Sequence, residues 1–468
     1  MESEQPKKKE PPRRPVKAAR YDALTDKNLF DHWRWVDSRS VDASLDPDTR
    51  RRMRERARYE VANNSYAMGV ALGLSNAIIG TGPRLQIVSG LDRDKRQQTE
   101  LDFEAWMQEV GLAEILRAMS FAKTQDGETF GLMYTNQDLT GPVKLGFMPI
   151  DAERVAGEYM AQGPYEVDGI TLNQYGRPLS YRILTRHPGD VGRLDLSGAT
   201  KYVEEAAIYP AWQVVHWFRR TTAEQHRGAS ELVAALNLFA LLRRYTLAVV
   251  TAAETAADFA AIMYTDSPGD FGGDSASPTP FETFDIERGL MMTAPDGWKV
   301  AQLKSEQPTT TYKEFKRELL GEIGRSLQIP VNVITGDSSQ HNYASGRLDY
   351  QEYHKAILTS QKQASVAVMR PIFRQWWREY SIVYGLPRAV PQAIYYWDGF
   401  EHVDPVKEAR AQETRLRSLT TTLAAEYAKQ GKDWEEELTQ IAREREKMRE
   451  LGLEFGDITP DLEPEETN

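Results

Sequence analysis

The sequence predicts an α+β protein in which long helices and short strands occupy separate parts of the chain. Three segments, residues 228–264, 309–327 and 350–384, place apolar side chains at steps of mostly three and four, which is the period of one helical face. Residues 143–217 instead alternate short apolar runs with turn residues, as the strands of a mixed sheet do. Together these patterns predict a helical framework with a sheet-containing region beside it.

The longest helical segment, residues 228–264, has no proline and no glycine after Gly228. Residues that favour helices dominate it, and Ser230 is suited to cap its start. A helix of this length needs a partner, because propensity alone rarely stabilises one. Its apolar stripe consists of Leu232, Leu236, Phe239, Leu242, Val249, Ala253, Ala256 and Ala260. Two alternatives remain open for this stripe, namely the core of one subunit and an interface between subunits.

The remaining elements follow from the same two periods. Helices are predicted at residues 99–124, 405–428 and 433–451, and strands at 84–88, 129–134, 290–293, 298–303 and 394–397. Pro371 is expected to kink the helix over 350–384, because proline cannot donate the helical hydrogen bond. Residues 335–345 are polar, lack large aliphatic side chains, and predict a mobile loop.

Several segments have a strong bias in charge. Residues 45–62 predict a basic helix that starts near Asp46 or Asp48 and continues towards Asn76. Its arginines are expected on a solvated face or at a subunit contact, and they are Arg50, Arg51, Arg52, Arg54, Arg56 and Arg58. Residues 1–24 predict a disordered basic tail, and residues 453–468 a frayed acidic one.

Composition limits the possible partners. The 468 residues carry a formal net charge of −11, whereas binding to phosphate backbones usually requires an excess of Lys and Arg. There is no cysteine, which excludes disulfides, thiolate zinc sites and cysteine nucleophiles. We expect no membrane span, because Arg243, Arg244 and Glu254 interrupt the longest apolar segment. The polar N-terminus has no signal-peptide pattern, so assembly inside a cell is expected.

Few residues suggest catalysis. Asp126 and Glu128 lie two positions apart on a predicted strand and would share a face, which suits acid–base chemistry. The simpler alternative, a turn with two solvated acids, is favoured because no histidine stands beside them in the sequence. His341 lies near Asp337 and Asn342 in the polar loop, but no zinc, Walker or nucleophile-elbow motif is present. By elimination, the sequence indicates a structural or binding protein without a metal or cofactor.

Several short motifs, taken in order, resemble one family, the lambda-type bacteriophage portal proteins. They are RY…NNSYA within 58–67, IGTGPRLQ at 79–86, QDGETF at 125–130, RGASEL at 227–232, DFAA at 258–261 and LQIP…ITGDSS…NYASGR within 327–347. The resemblance covers roughly residues 58–400. It departs from the usual family pattern at Val331-Asn332 and at residues 344–347.

The resemblance implies a portal fold with a mixed α/β wing, a stem of long helices, a small clip with short strands and a helical crown. The implied division is a wing at 25–227, a stem helix at 228–264, a clip at 265–308, a second stem helix at 309–329, a tunnel loop at 330–346, the long wing helix and a strand at 347–404, and crown helices at 405–452. By the same resemblance, the stem residues expected between subunits are Leu232, Leu236, Phe239, Val249, Ala253, Ala256 and Ala260.

A portal subunit would form a ring, typically of twelve copies, at one vertex of the virion capsid after assembly in the host bacterial cytoplasm. The implied partners are double-stranded DNA in the channel, the terminase large subunit, the major capsid protein with its scaffold, and head-completion or tail-connector proteins. The implied tunnel-loop residues are Asp337, Ser338, Ser339, Gln340, His341, Asn342 and Tyr343. The alternatives are a soluble α/β enzyme using Asp126, Glu128 or His341, and a scaffold or adaptor that forms no ring.

Overall fold

The computed structural model describes residues 38–157, 163–192, 205–258, 262–264, 299–301, 309–339, 343–400 and 405–453. Its helices are α1 Val41–Ser44, α2 Pro47–Asn63, α3 Ser65–Ile79, α4 Arg93–Glu109, α5 Leu112–Asp126, α6 Leu236–Asp258, α7 Thr309–Leu327, α8 Val331–Thr335, α9 Tyr343–Ala364, α10 Arg370–Val383, α11 Pro405–Arg417, α12 Leu423–Lys429 and α13 Trp434–Glu450. Its strands are β1 Arg84–Ser89, β2 Glu128–Thr135, β3 Leu145–Ile150, β4 Glu166–Val167, β5 Ile170–Leu172, β6 Pro178–Leu184, β7 Ala206–Pro210, β8 Val214–Phe218, β9 Ile262–Tyr264, β10 Lys299–Ala301 and β11 Gln392–Tyr396.

Helices at the start of the chain are separated by side-chain caps. The carboxylate of Asp46 accepts a hydrogen bond from the Thr49 backbone N–H at 2.8 Å and so fixes the start of α2. The expected continuation towards Asn76 is wrong, because Asn64 adopts an extended conformation and caps α3 instead. Likewise, Gly111 at φ 65° divides the helix expected over 99–124 into α4 and α5.

The expected long helix over 228–264 is shorter than its pattern suggested. Residues 231–235 form turns, α6 begins at Leu236, and residues 262–264 form strand β9. Ser230 therefore does not cap α6; its hydroxyl accepts a hydrogen bond from the Leu232 N–H within the preceding turn. Helix α7 matches the expected bounds 309–327.

The helix expected over 350–384 consists of two α-helices joined by a π-helical turn. Helix α9 begins at Tyr343, seven positions before the expected start, and the π-turn spans Ser365–Met369. Pro371 then lies in the first turn of α10, where a missing N–H costs little. The irregularity therefore precedes the proline rather than occurring at it.

The described strands pair only in antiparallel fashion, which corrects the expectation of a mixed sheet. One sheet has the order β3-β2-β8 and the second the order β4-β5-β6-β7, while β1 pairs with β11 and β9 with β10. The two larger sheets pack through buried residues such as Phe130, Tyr181 and Ile183. Strands β9 and β10 fall where a small clip is expected; residues 265–298, including the expected strand 290–293, lie outside the described residues.

The main core joins the helices to one face of the three-stranded sheet. Its centre is an aromatic group in which Phe103 of α4 meets Phe373 and Trp376 of α10 edge-to-face, with centroid distances of 5.3 and 5.0 Å. Such pairs each contribute about 0.5–1.5 kcal/mol beyond their buried area. The foot of α6 enters the same core through buried Phe239 and Leu242. Helix α6 is thereby anchored in the main core.

Candidate functional site

A buried cluster of charges lies where the wing meets the foot of α6. Arg50, Arg54 and Arg58 occupy positions four residues apart on α2, so all three side chains share one face. Arg50 and Arg54 are 2% and 4% exposed, which corrects the expectation that these residues lie on a solvated face. The four-residue spacing was visible in the sequence, but nothing in it revealed the acids that these arginines would meet.

Glu128, the first residue of β2, is the centre of this cluster and is fully buried. Its carboxylate accepts hydrogen bonds from Arg227 Nη2 at 2.7 Å, from the Gly228 N–H at 2.9 Å and from Arg54. His216 Nε2 lies 3.0 Å from the second carboxylate oxygen. The expectation of solvated acids with no histidine nearby is therefore wrong, because the sheet brings His216 of β8 directly opposite Phe130 of β2.

The pKa values in the cluster explain its charge state. Burial alone would raise the pKa of Glu128, but Arg227, the hydrogen bond from His216, and Arg54 together hold that pKa well below its ordinary value. Burial lowers the pKa of His216 against the opposing effect of Glu128, so the ring is neutral and donates from Nε2. Burial and then repulsion by Arg227 lower the pKa of Arg50 to about 10, so it stays charged at neutral pH.

The rest of the cluster joins separate elements. Arg58 makes a bidentate pair with Asp126, at 2.8 Å to each oxygen, and Arg50 pairs with Asp168 from the loop before β5. Arg227 is 0% exposed and also donates to the carbonyl of Val155 at 3.1 Å. Because protein donors already occupy both oxygens of Glu128, this carboxylate has no site for a substrate. The cluster is a structural junction, not an acid–base pair.

Two glycines allow the chain segments to cross tightly at this junction. A Cβ at Gly127, where φ is 91°, would lie 2.1 Å from the Ala229 carbonyl carbon, and one at Gly228 would lie 2.2 Å from the Gly127 oxygen. Any side chain there would push apart β2 and the segment leading into α6. The junction thus holds the segment leading into α6 against the start of β2.

Helices α6 and α7, the expected stem pair, pack against each other. Tyr245 stacks on Tyr312 at 5.7 Å and contacts Phe315 at 4.6 Å, while Arg243 pairs with Glu60 of α2 at 2.8 Å. Much apolar surface of α6 stays uncovered, since Leu241, Leu247 and Val250 are 52%, 60% and 48% exposed. The segment Leu236–Glu254 is long and apolar enough to cross a membrane by length and composition alone, although it carries Arg243 and Arg244 at its middle.

The residues expected at a stem interface divide into separate groups. Leu232, Leu236 and Phe239 are 0%, 9% and 0% exposed within this one subunit, so they have almost no surface left for a neighbour. Their assignment to an interface is corrected: they belong to the subunit core. Val249 is half-buried and Ala253 exposed. The side chain of Ala256 and the whole of Ala260 lie outside the described residues.

The polar loop expected over 335–345 is shorter in the structure. Thr335 ends α8 and Tyr343 begins α9, so the connection is residues 336–342, of which Gln340, His341 and Asn342 lie outside the described residues. Asp337 accepts a hydrogen bond from the Ser339 N–H at 2.9 Å. The hydroxyl and the backbone N–H of Ser339 lower the pKa of Asp337, so the carboxylate is ionised at neutral pH. Ser338 and Ser339 are exposed.

A second group of carboxylates lies where α13 docks on the wing. Asp433 caps α13 and accepts a hydrogen bond from Gln86 of β1, while Glu100 of α4 accepts one from the Ile87 N–H at 2.5 Å. Burial, and repulsion by Asp433 and Glu436, raise the pKa of Glu100 to about 7, against the opposing effects of the Ile87 N–H and Arg96. This contact is therefore sensitive to pH near neutrality.

The sign of that sensitivity can be tested. Because the pKa of folded Glu100 exceeds its ordinary value, the folded state is favoured at low pH and loses stability as the pH rises towards 7. We expect hydrogen exchange of α13, corrected for intrinsic rates, to quicken between pH 5 and pH 7, and Glu100→Gln to remove most of this change. Glu114→Gln, on the exposed face of α5, is the matched control. If hydrogen exchange of α13 in Glu100→Gln depends on pH as strongly as in the wild-type protein, Glu100 is not the group responsible.

The described residues contain no group of three His, Cys, Asp or Glu side chains placed to hold a metal ion. The described chain combines an antiparallel α+β fold, a charge junction whose groups are all paired, and an apolar surface on α6 that stays uncovered. The family model described as phage portal protein, lambda family, matches residues 26–361, and the chain belongs to that family. Portal proteins of this family are structural and non-enzymatic, so the alternative of a soluble enzyme is wrong.

Individual relatives are also similar. A probable portal protein of Halomonas phage phiHAP-1 is 22% identical over 435 residues, which cover 86% of this chain and 81% of that protein. The neck of an empty gene transfer agent particle contains a chain with a TM-score of 0.47 and 13% identity, covering 85% of this chain and 93% of that one. A chain of the native gene transfer agent virion gives the same TM-score and identity, over 86% and 93%.

Proposed function

We propose that this chain is one subunit of a closed portal ring, of about twelve copies, whose channel conducts double-stranded DNA. The observation that carries the proposal, beside the family, is the surface of α6. At about 100° per residue, Leu247 and Val250 lie on one side of the contact with α7, and Leu241 and Ala248 on the other. A closed ring needs two different surfaces on each subunit that meet head to tail, and these two flanks provide them.

The angle between the flanks supports ring closure. Measured around α6 on the side away from α7, the two flanks are separated by roughly 140°. Contact faces in a ring of twelve would be separated by about 150°. An apolar helix surface of this extent is unfavourable in water, so a neighbouring copy is its natural cover. In this arrangement α6 and α7 lie along one radius of the ring.

The other parts of the proposal follow the order of the chain. Residues 38–227 form the wing, α6 and α7 the stem, the region containing β9 and β10 the clip, and α11, α12 and α13 the crown. We assign residues 336–342 to the channel, where Ser338 and Ser339 would exchange hydrogen bonds with a passing phosphate backbone without holding it. The acidic net charge of −11 favours sliding over gripping.

The proposed location is one vertex of a virion, after assembly in the host bacterial cytoplasm. The proposed partners are the terminase large subunit, the major capsid protein with its scaffold, and head-completion or tail-connector proteins. Energy for DNA movement would come from terminase.

One pair of measurements tests both ring and channel. Purified protein should elute as a ring of uniform size in size-exclusion chromatography and negative-stain images. A variant with Ser338, Ser339 and Gln340 replaced by glycine should form rings in normal yield yet package shorter or less well-retained DNA. A wild-type protein that stays monomeric contradicts the ring, and normal packaging by the variant contradicts the channel assignment.

A further inference from the structure

A cavity lies between the proposed stem and the proposed wing. It measures about 1150 Å³ and runs between α7 and α9. Its floor includes the apolar side chains of Leu74, Ile78 and Ile357. We call it the stem–wing groove. A groove of this volume with an apolar floor is larger than a single packing defect and suits an incoming segment of protein.

The walls of the stem–wing groove are basic. The cations that line it are Arg219, Arg220, Arg317, Arg325 and Lys355, in addition to Lys123, which is paired with Glu231 at 2.6 Å. Against them stand Asp349 and Glu352, and Glu352 lies 3.9 Å from Arg325 with both side chains more than four-fifths exposed. Such a concentration of positive charge in an acidic chain indicates an acidic occupant.

A matching surface lies on the other flank of α7. Glu318 and Glu322 are exposed and stand four residues apart, and Phe315 beside them is 47% exposed. We call these three residues the acidic edge. Within the described part of the chain neither glutamate has an ion pair. Like charges at this spacing destabilise an isolated helix, so a cation-rich partner surface would relieve them.

The two surfaces occupy different parts of α7. None of the three acidic-edge residues lines the groove, whereas Arg317, Gly321 and Arg325 do. At about 100° per residue, Phe315 and Glu322 lie roughly 100–160° around α7 from Arg317 and Gly321, while Glu318 lies about 60° from Gly321 and about 20° from Arg325. Phe315 also touches Tyr245 at 4.6 Å, which makes the acidic edge continuous with the Leu241 flank of α6.

We propose that the stem–wing groove receives the acidic edge of α7 from a neighbouring copy of this chain. The inference rests on the proposed ring and adds to it a polar, directional contact beside the apolar one. The glutamates meet the groove arginines, and Phe315 approaches the apolar floor. Because each interface pairs an acidic edge with a basic groove, the contact also prevents two copies from joining in the reverse orientation.

The test uses two charge-reversed proteins. The edge variant carries Glu318→Arg and Glu322→Arg, and the groove variant carries Arg219→Glu and Arg325→Glu. Alone, each places like charges across every interface, and its ring yield should fall at least about tenfold. Mixed in equal amounts, they should form rings again, because alternating copies restore opposite charges at both kinds of interface. Glu444→Arg with Glu446→Arg, on exposed α13, is the matched control and should assemble normally.

The outcomes separate the inference from the proposed function. If wild-type protein forms no ring, the proposed function fails. If wild-type and both variants form rings equally well, only the groove contact is wrong. If both variants are folded by circular dichroism and fail alone, but the mixture also fails, the pairing of these two surfaces is overturned. Recovery in the mixture cannot come from contacts within one subunit.

Discussion

Replacing Glu128 with alanine is expected to lower the free energy of local opening around β2 by about 3–5 kcal/mol, because it leaves Arg54 and Arg227 buried without their partner. Burial of Arg227 is complete, so water cannot compensate for the lost carboxylate. The backbone N–H of Gly228, which donates to Glu128 at 2.9 Å, would also lose its acceptor. The expected result is faster hydrogen exchange in β2 and in the segment entering α6.

Local exchange is the appropriate measurement, since a chain of 468 residues is unlikely to unfold in one step. Glu55→Ala, a glutamate on the exposed face of α2, is the control and should change exchange little. The stabilisation by Glu128 is present at neutral pH and lost as the pH falls, because its pKa lies below the ordinary value. Unchanged exchange in Glu128→Ala would show that the junction does not depend on this carboxylate.

Leu247→Glu is expected to abolish ring assembly while leaving the subunit folded. Leu247 is 60% exposed in the single subunit, so the glutamate costs little there. In a ring it would place an unpaired charge in an apolar contact repeated at every interface, at a cost of several kcal/mol each. Size-exclusion chromatography and imaging should find only small species, with an unchanged circular dichroism spectrum.

The control for this variant is Arg244→Glu, at an exposed position on α6 that lies between the two flanks, on the side away from α7. It should assemble with wild-type yield. Normal rings from Leu247→Glu would remove this flank from the interface, whereas loss of rings in both variants would point to a general effect of charge on the stem.

Local patterns in the sequence predicted most elements well. The bounds of α7, and a start of α2 near Asp46 or Asp48, follow from helical periodicity and capping, which depend on neighbours within a few residues. The length of α6 is overestimated from the sequence, because Ala and Leu, which favour helix, continue beyond both of its ends. Its true start at Leu236 is determined by the tight crossing of Gly127 and Gly228, which are distant in sequence.

The charge junction could not be predicted for the same reason. Arg50 meets Asp168, and Arg227 meets Glu128, only after the sheets have formed. The four-residue spacing of Arg50, Arg54 and Arg58 on α2 indicates that they share one face, but it does not indicate whether that face is buried. The assignment of Leu232, Leu236 and Phe239 to an interface failed in a similar way, because the apolar stripe continues unchanged from the core at Phe239 to the exposed part of α6 beyond it. For Val249, Ala253, Ala256 and Ala260 the interface stays a prediction.

The π-helical turn at Ser365–Met369 sets how far α10 is rotated about the helix axis relative to α9. A π-turn holds about one residue more than an α-turn, so it rotates everything after it by roughly 100°. Helix α9 can therefore face α3 while α10 turns Trp376 and Tyr380 towards α4. An insertion or deletion in this one turn would change the relative rotation of the two halves without altering either apolar face. A change of sequence in this turn can thus adjust the packing of α9 against α3 and the packing of α10 against α4 separately.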